Sequence, residues 1–297
     1  MPITTKDRTI DGPYGTVAVR VYTPDTSARA GLVWAHGGAF YGGDLDMPES
    51  DWVARRLAER GIAVVAVDYA LAPVPAWSGE APIDRGRRSH YPVASEEVTA
   101  AFLWATTSDV QAPAWAIGGA SAGAALTAGV TLRLRDSGRP LPYAVVLVYP
   151  VVHAELPPMT AELAAKVGTL PDADAIGAEA VSRMNLHYVR DPAALAEPYA
   201  FPGGHDLQGL PPTFILNSDI DSLRASGQQY GAELATAGVD IVMVREVGVR
   251  HGHLNEPDNP GASRSIDRIA DWLLSTTPIG AAPERRPGSL QSAPPED

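Results

Sequence analysis

Apolar positions along this chain fall into short runs, and segments with helical periodicity lie between them. "TVAVRVYT" (16–23) alternates with period two and reads as a half-buried strand. "AGLVWAHGG" (30–38) and "PAWAIGG" (113–119) are short apolar runs that end in glycines. "IAVVAVDYA" (62–70) and "YAVVLVYP" (143–150) are apolar and rich in β-branched residues, the mark of strands covered on both faces. "PTFILNS" (212–218) and "DIVMVREV" (240–247) continue the series. Between these runs the spacing predicts helices over 47–61, closed by Gly61, and over 94–107, 122–138, 223–238 and 263–277. Strands that alternate with helices predict an α/β fold with a mostly parallel sheet. In such sheets sites form beyond the carboxyl ends of the strands.

Three stretches leave the pattern. Residues 71–92 hold prolines, glycines and charges and read as a long loop. Residues 153–205 have helical pieces but no strong strand, so they read as an insertion that splits one main domain into 1–152 and 206–277. Residues 278–297 are rich in Pro, Gly and Ser and read as a flexible tail.

Composition narrows the function. With 297 residues and 45% hydrophobic content the chain can bury a sizeable core. A net charge of −12 disfavours phosphate backbones, so no nucleic-acid partner is expected. There is no cysteine, which excludes disulfides and thiolate metal sites. "MPITTKDRTI" lacks the apolar core of a signal peptide, and no apolar run is long enough to span a bilayer. A cytoplasmic protein with no membrane span is the expectation.

One serine stands inside a run of small residues. "GASAG" (119–123) fits G-x-S-x-G, with a strand before it and a helix after it. Such a turn lifts Ser121 out of the sheet, at the positive end of the helix, and only small neighbours avoid clashes there. A serine hydroxyl needs a base. Of seven histidines, His251 and His253 follow the last apolar strand, and His251 lies between Gly248 and Gly252. The preceding strand end, "ILNSDIDSLR" (215–224), offers Asp219 and Asp221 as the acid that orients the base. Read with Asp221, the order Ser121, Asp221, His251 is the chain order of α/β-hydrolase triads. "HGGAF" (36–40) also follows a strand, and its glycines let backbone N–H groups approach a developing oxyanion. The expected donors are Gly37, Gly38 and Ala122. His36 is expected to hold that loop rather than act as a base.

These stretches, with "VDYALAP" (67–73), "YP" (149–150), "DIDSLR" (219–224) and "HGH" (251–253), resemble the bacterial hormone-sensitive-lipase-like carboxylesterases of the α/β-hydrolase superfamily. The resemblance runs from about residue 7 to 277. It implies an eight-stranded, mostly parallel sheet flanked by helices, and a helical lid over about 153–205 inserted after the sixth strand. It implies Ser121 as nucleophile, His251 as general base and acid, and Asp221 as the orienting acid. The chain departs from the family pattern at Ala39, Ala120 and Ser222, and carries a longer loop over 74–90.

The implied enzyme is a serine-dependent carboxylesterase for short- to medium-chain acyl or small aryl esters. It works through an acyl-enzyme, with no cofactor and no metal. Its partner is a small-molecule ester, and the resemblance leaves room for a homodimer. Amide or lactone cleavage, or acyl transfer, at the same site stays open. A non-catalytic small-molecule receptor is disfavoured by the presence of His251. Met159, Leu163, Met184 and Tyr188 either line an acyl pocket or pack the insertion on the core, and packing is the default for most of them.

Overall fold

The computed structural model describes residues 2–79, 88–171 and 176–278. The tail expected over 278–297 lies outside the described residues apart from Pro278. So do residues 80–87 of the long loop and 172–175 of the insertion.

Eight strands form one sheet: β1 (Ile3–Gly12), β2 (Gly15–Pro24), β3 (Ala30–Ala35), β4 (Ile62–Asp68), β5 (Trp115–Ala120), β6 (Val145–Val148), β7 (Thr213–Ile220) and β8 (Ile241–Arg250). Their order is β1-β2-β4-β3-β5-β6-β7-β8. β2 pairs antiparallel with β1 and β4, and every other pairing is parallel. This is the mostly parallel eight-stranded sheet that the resemblance implies.

Alternation along the strands explains the layers. Val33, Ala35, Ile117, Leu147 and Ile215 face a core built with α2 (Val93–Thr107), α3 (Ala122–Asp136) and α6 (Arg224–Thr236). Leu32, Trp34, Ala116, Val146 and Leu216 face the other core, under α1 (Asp51–Glu59) and α7 (Pro260–Thr276). Both faces are covered, so β3, β5 and β6 are buried along their whole length.

The periodicity does not predict β1. Of its ten residues only Ile10 is buried, because it is an edge strand with one neighbour. It therefore lacks the apolar signal that marks the inner strands. Two boundaries also move. The helix expected over 47–61 starts at Asp51. Residues 47–50 instead make a turn, in which Ser50 N–H donates to the Met47 carbonyl at 2.9 Å. β8 runs three residues past 247 and pairs Arg250 with Ile220, across an irregularity in β7 between Ser218 and Ile220.

After β6 the chain leaves the sheet and forms α4 (Ala161–Val167) and α5 (Ala178–Val189) before β7. Leu163 and Tyr188 are buried, Met184 packs against the core from a half-buried position, and Met159 is exposed. Tyr188 stacks on Phe40, with ring centres 4.0 Å apart. Among the described residues no helix is long and apolar enough to cross a membrane.

Candidate active site

The site collects at the carboxyl ends of β3, β5, β6, β7 and β8. Ser121 follows β5 directly and caps α3 with φ 52° and ψ −118°, a conformation that side chains rarely adopt. Its N–H donates to the Val148 carbonyl at 2.9 Å, which pins the turn to β6. The glycines around it answer close approaches. A Cβ on Gly123 would lie 2.1 Å from the Ala35 carbonyl oxygen, and one on Gly119 would lie 2.5 Å from Gly123.

Ser121, His251 and Asp221 meet, although 100 residues separate Ser121 from Asp221 in the chain. Ser121 Oγ lies 2.9 Å from His251 Nε2, and His251 Nδ1 lies 2.8 Å from Asp221 Oδ2. A carboxylate only accepts, so Nδ1 carries the proton and Nε2 is free to accept from the serine hydroxyl. The other Asp221 oxygen accepts from Leu223 N–H at 2.9 Å. Burial works against the charged imidazolium. The Asp221 carboxylate, through its charge and its hydrogen bond, and the charge of Glu49 outweigh that cost, so the His251 pKa is raised.

The neighbouring candidates face elsewhere. Asp219 accepts from Lys166 Nζ at 2.6 Å and from Gly248 N–H at 3.1 Å, and lies 3.5 Å from Arg224 Nη1 and 3.4 Å from Arg245 Nε. Burial would raise its pKa, but the bonds from Lys166 and Gly248 and the charges of Lys166 and Arg245 hold it below the ordinary aspartate value. His253 is buried between Ser218 Oγ (3.0 Å) and Ser265 Oγ (2.8 Å), and burial pushes its pKa down to about 4. Among the described residues no group of three His, Cys, Asp or Glu side chains is placed to hold a metal.

One expected oxyanion donor is corrected. Gly37 N–H donates to the buried Glu49 Oε2 at 2.5 Å, and its single proton is therefore engaged. The Gly37 carbonyl accepts from His36 Nδ1 at 2.7 Å. In a trans peptide the carbonyl and the following N–H point in opposite directions, so Gly38 N–H faces away from the His36 ring. Among the described residues the N–H groups of Gly38, Ala39 and Ala122 donate to no protein acceptor. Ala39 and Phe40 hold φ of 53° and 67°, which turns the loop sharply after Gly38. His36 is buried, stacks on Tyr69 at 4.6 Å and has its pKa pushed down to about 4 by burial. It is a neutral strut of the loop. Tyr69 O–H donates to the His36 carbonyl at 2.7 Å.

The sequence did not single out Glu49. It falls where a helix first turn is expected, and an acid is ordinary there. Trp77, in the long loop, is 42% exposed and forms a ring cluster with Tyr41 and His187, with Arg183 over its face at 4.6 Å.

Residues 32–255 match the family described as alpha/beta hydrolase fold. Esterase LipI of Mycobacterium tuberculosis is 32% identical over 259 residues, which cover 84% of this chain and 74% of the relative. Carboxylesterase NlhH of the same species is 32% identical over 249 residues, covering 80% and 72%. Among solved structures, an esterase of Pyrobaculum calidifontis aligns at TM-score 0.79 and 32% identity, over 92% of this chain and 85% of that one. EstE1, a thermostable carboxylesterase from a metagenomic library, aligns at TM-score 0.80 and 30% identity, over 93% and 90%.

Proposed function

The chain belongs to the hormone-sensitive-lipase-like carboxylesterases of the α/β-hydrolase family, and from that we propose that it hydrolyses small carboxylic esters through an acyl-enzyme on Ser121. The observation that carries this reading is the continuous hydrogen-bonded line from Ser121 Oγ through His251 to Asp221. His251 takes the serine proton as Oγ attacks the ester carbonyl carbon. Asp221 holds the imidazole in its tautomer and stabilises the imidazolium. The oxyanion rests on N–H groups of Gly38 and Ala122, with Ala39 in the place first expected of Gly37. His251 then protonates the leaving alcohol, and water repeats the sequence on the acyl-enzyme.

Substrates are short- to medium-chain acyl or small aryl esters, and residues 153–205 act as a lid. The stacking of Tyr188 on Phe40 supports that lid, because it seats α5 on the loop that carries Gly38.

The base must be neutral to work, so activity is lost as pH falls through the His251 pKa. Because that pKa is raised, the acid limb of kcat/KM should lie above the ordinary histidine value of about 6.5 and level off at higher pH. p-Nitrophenyl esters from acetate to laurate, followed in stopped flow across pH 5 to 9, test both parts. A burst equal to the enzyme concentration is expected on the short esters. A profile that peaks in acid would remove His251 from the role of base.

A further inference from the structure

One buried carboxylate beside the site takes no part in the line from serine to aspartate. Glu49 is 2% exposed. Burying a carboxylate is costly unless donors surround it. Three do so here. Gly37 N–H donates to Oε2 at 2.5 Å, Tyr149 O–H donates to Oε1 at 2.5 Å, and Asn255 Nδ2 donates to Oε1 at 3.2 Å. The backbone of Glu49 is also fixed. Trp34 Nε1 donates to its carbonyl at 2.8 Å, and its N–H donates to Asn255 Oδ1 at 3.1 Å.

The three donors come from three different parts of the site. Gly37 precedes Gly38 and Ala39, whose N–H groups donate to no protein acceptor among the described residues. Tyr149 directly follows β6 with φ 37°, and its ring meets the edge of the His251 ring at 4.9 Å and 66°. Asn255 closes the short turn that follows His251. A single side chain therefore ties the oxyanion loop to the histidine loop. Both oxygens must accept, and an amide in the same place would turn an NH2 group toward a donor.

We propose that Glu49 is a positioning residue: it sets the Gly38 loop in register with His251 and supplies a negative charge that favours the imidazolium of the transition state. The proposal rests on the reading of Ser121, His251 and Asp221 given above. The charge of Glu49 is one of the influences that raise the His251 pKa, beside the larger influence of Asp221. Burial pushes the Glu49 pKa up, while the bonds from Tyr149, Gly37 and Asn255 and the neighbouring His251 favour its charged form. The titratable groups that face Glu49 are Tyr149, Tyr69 and His251, and those that face His251 are Asp221, Glu49, Tyr149 and His253.

Glu49→Gln, Glu49→Asp and Ser121→Ala, each checked for folding by circular dichroism and Tm, test this with p-nitrophenyl acetate. Glu49→Gln should lower kcat roughly tenfold or more and leave KM within about twofold, because the lost alignment matters only in the transition state. Its acid limb should move to lower pH. Glu49→Asp keeps the charge, so its limb should stay near that of the wild type. A folded Glu49→Gln with wild-type kcat and an unmoved limb would overturn the proposal, whatever its Tm. If Glu49→Gln does not fold, Tyr149→Phe decides. It keeps the ring beside His251 and removes one donor. A severalfold fall in kcat at constant KM supports the proposal, and wild-type kcat overturns it. Ser121→Ala separates the two readings: if it stays active, the reading of the triad fails, and if it alone is inactive, only the role of Glu49 fails.

Discussion

Ser121→Ala should lower kcat on p-nitrophenyl esters by about 10⁴-fold or more and abolish the burst, while the protein stays folded. The hydroxyl is the group that His251 Nε2 reaches at 2.9 Å, and alanine leaves nothing to form the acyl bond. What remains is the alignment of water and ester beside the loop donors, which accounts for the small residual rate. The fold should tolerate the change. Alanine takes the same φ of 52° as serine with no added bulk, and the turn keeps the bond from the residue-121 N–H to Val148. The loss is one side-chain hydrogen bond, on the order of 1 kcal/mol. Stopped-flow bursts and a thermal melt on the same preparation check both halves. Wild-type turnover by this variant would move the nucleophile elsewhere.

Asp221→Asn and Asp219→Asn should separate by about three orders of magnitude in kcat. Asp221 accepts from His251 Nδ1, and an asparagine amide there can donate instead and hold the imidazole in the tautomer with the proton on Nε2. That form cannot take the serine proton, and a loss of about 10⁴-fold is expected. Asp219 faces Lys166, Arg224 and Arg245 instead. Asparagine there leaves the buried Arg224 with less compensation and loosens α4, which carries Lys166, from the end of β7. The expected result is less than tenfold in kcat, with a loss of stability of about 2 kcal/mol read from urea unfolding. The reverse order of activities would transfer the orienting role to Asp219.

Much of this protein was legible in the sequence because the relevant physics is local. Period-two, β-branched and short apolar runs mark seven of the eight strands. Burial dictates the side chains of the inner strands, whereas β8 is an edge strand that shows an apolar run although Val242, Met243 and Val247 are exposed. Gly119 and Gly123 mark the serine turn, because the Ala35 carbonyl leaves no room for a Cβ. Even the segment between β6 and β7 shows itself by lacking a strand pattern. β1 escaped because an edge strand with one buried residue has no apolar period to read.

The finer assignments were decided only in three dimensions. Asp219 and Asp221 differ by two positions and look alike along the chain. The irregular pairing at the end of β7 and β8 leaves one facing Lys166 and the other facing His251. Gly37 and Gly38 are equally free of side chains, yet a carboxylate twelve residues away engages one N–H and leaves the other. Glu49 itself is an ordinary surface acid by sequence, and it becomes a buried link between two loops only after β3, β6 and the turn after His251 converge on it. Periodicity records which face of an element is buried, because that is set residue by residue. Which polar atom meets which is set by the register of strands far apart in the chain, and that exists only in the assembled sheet.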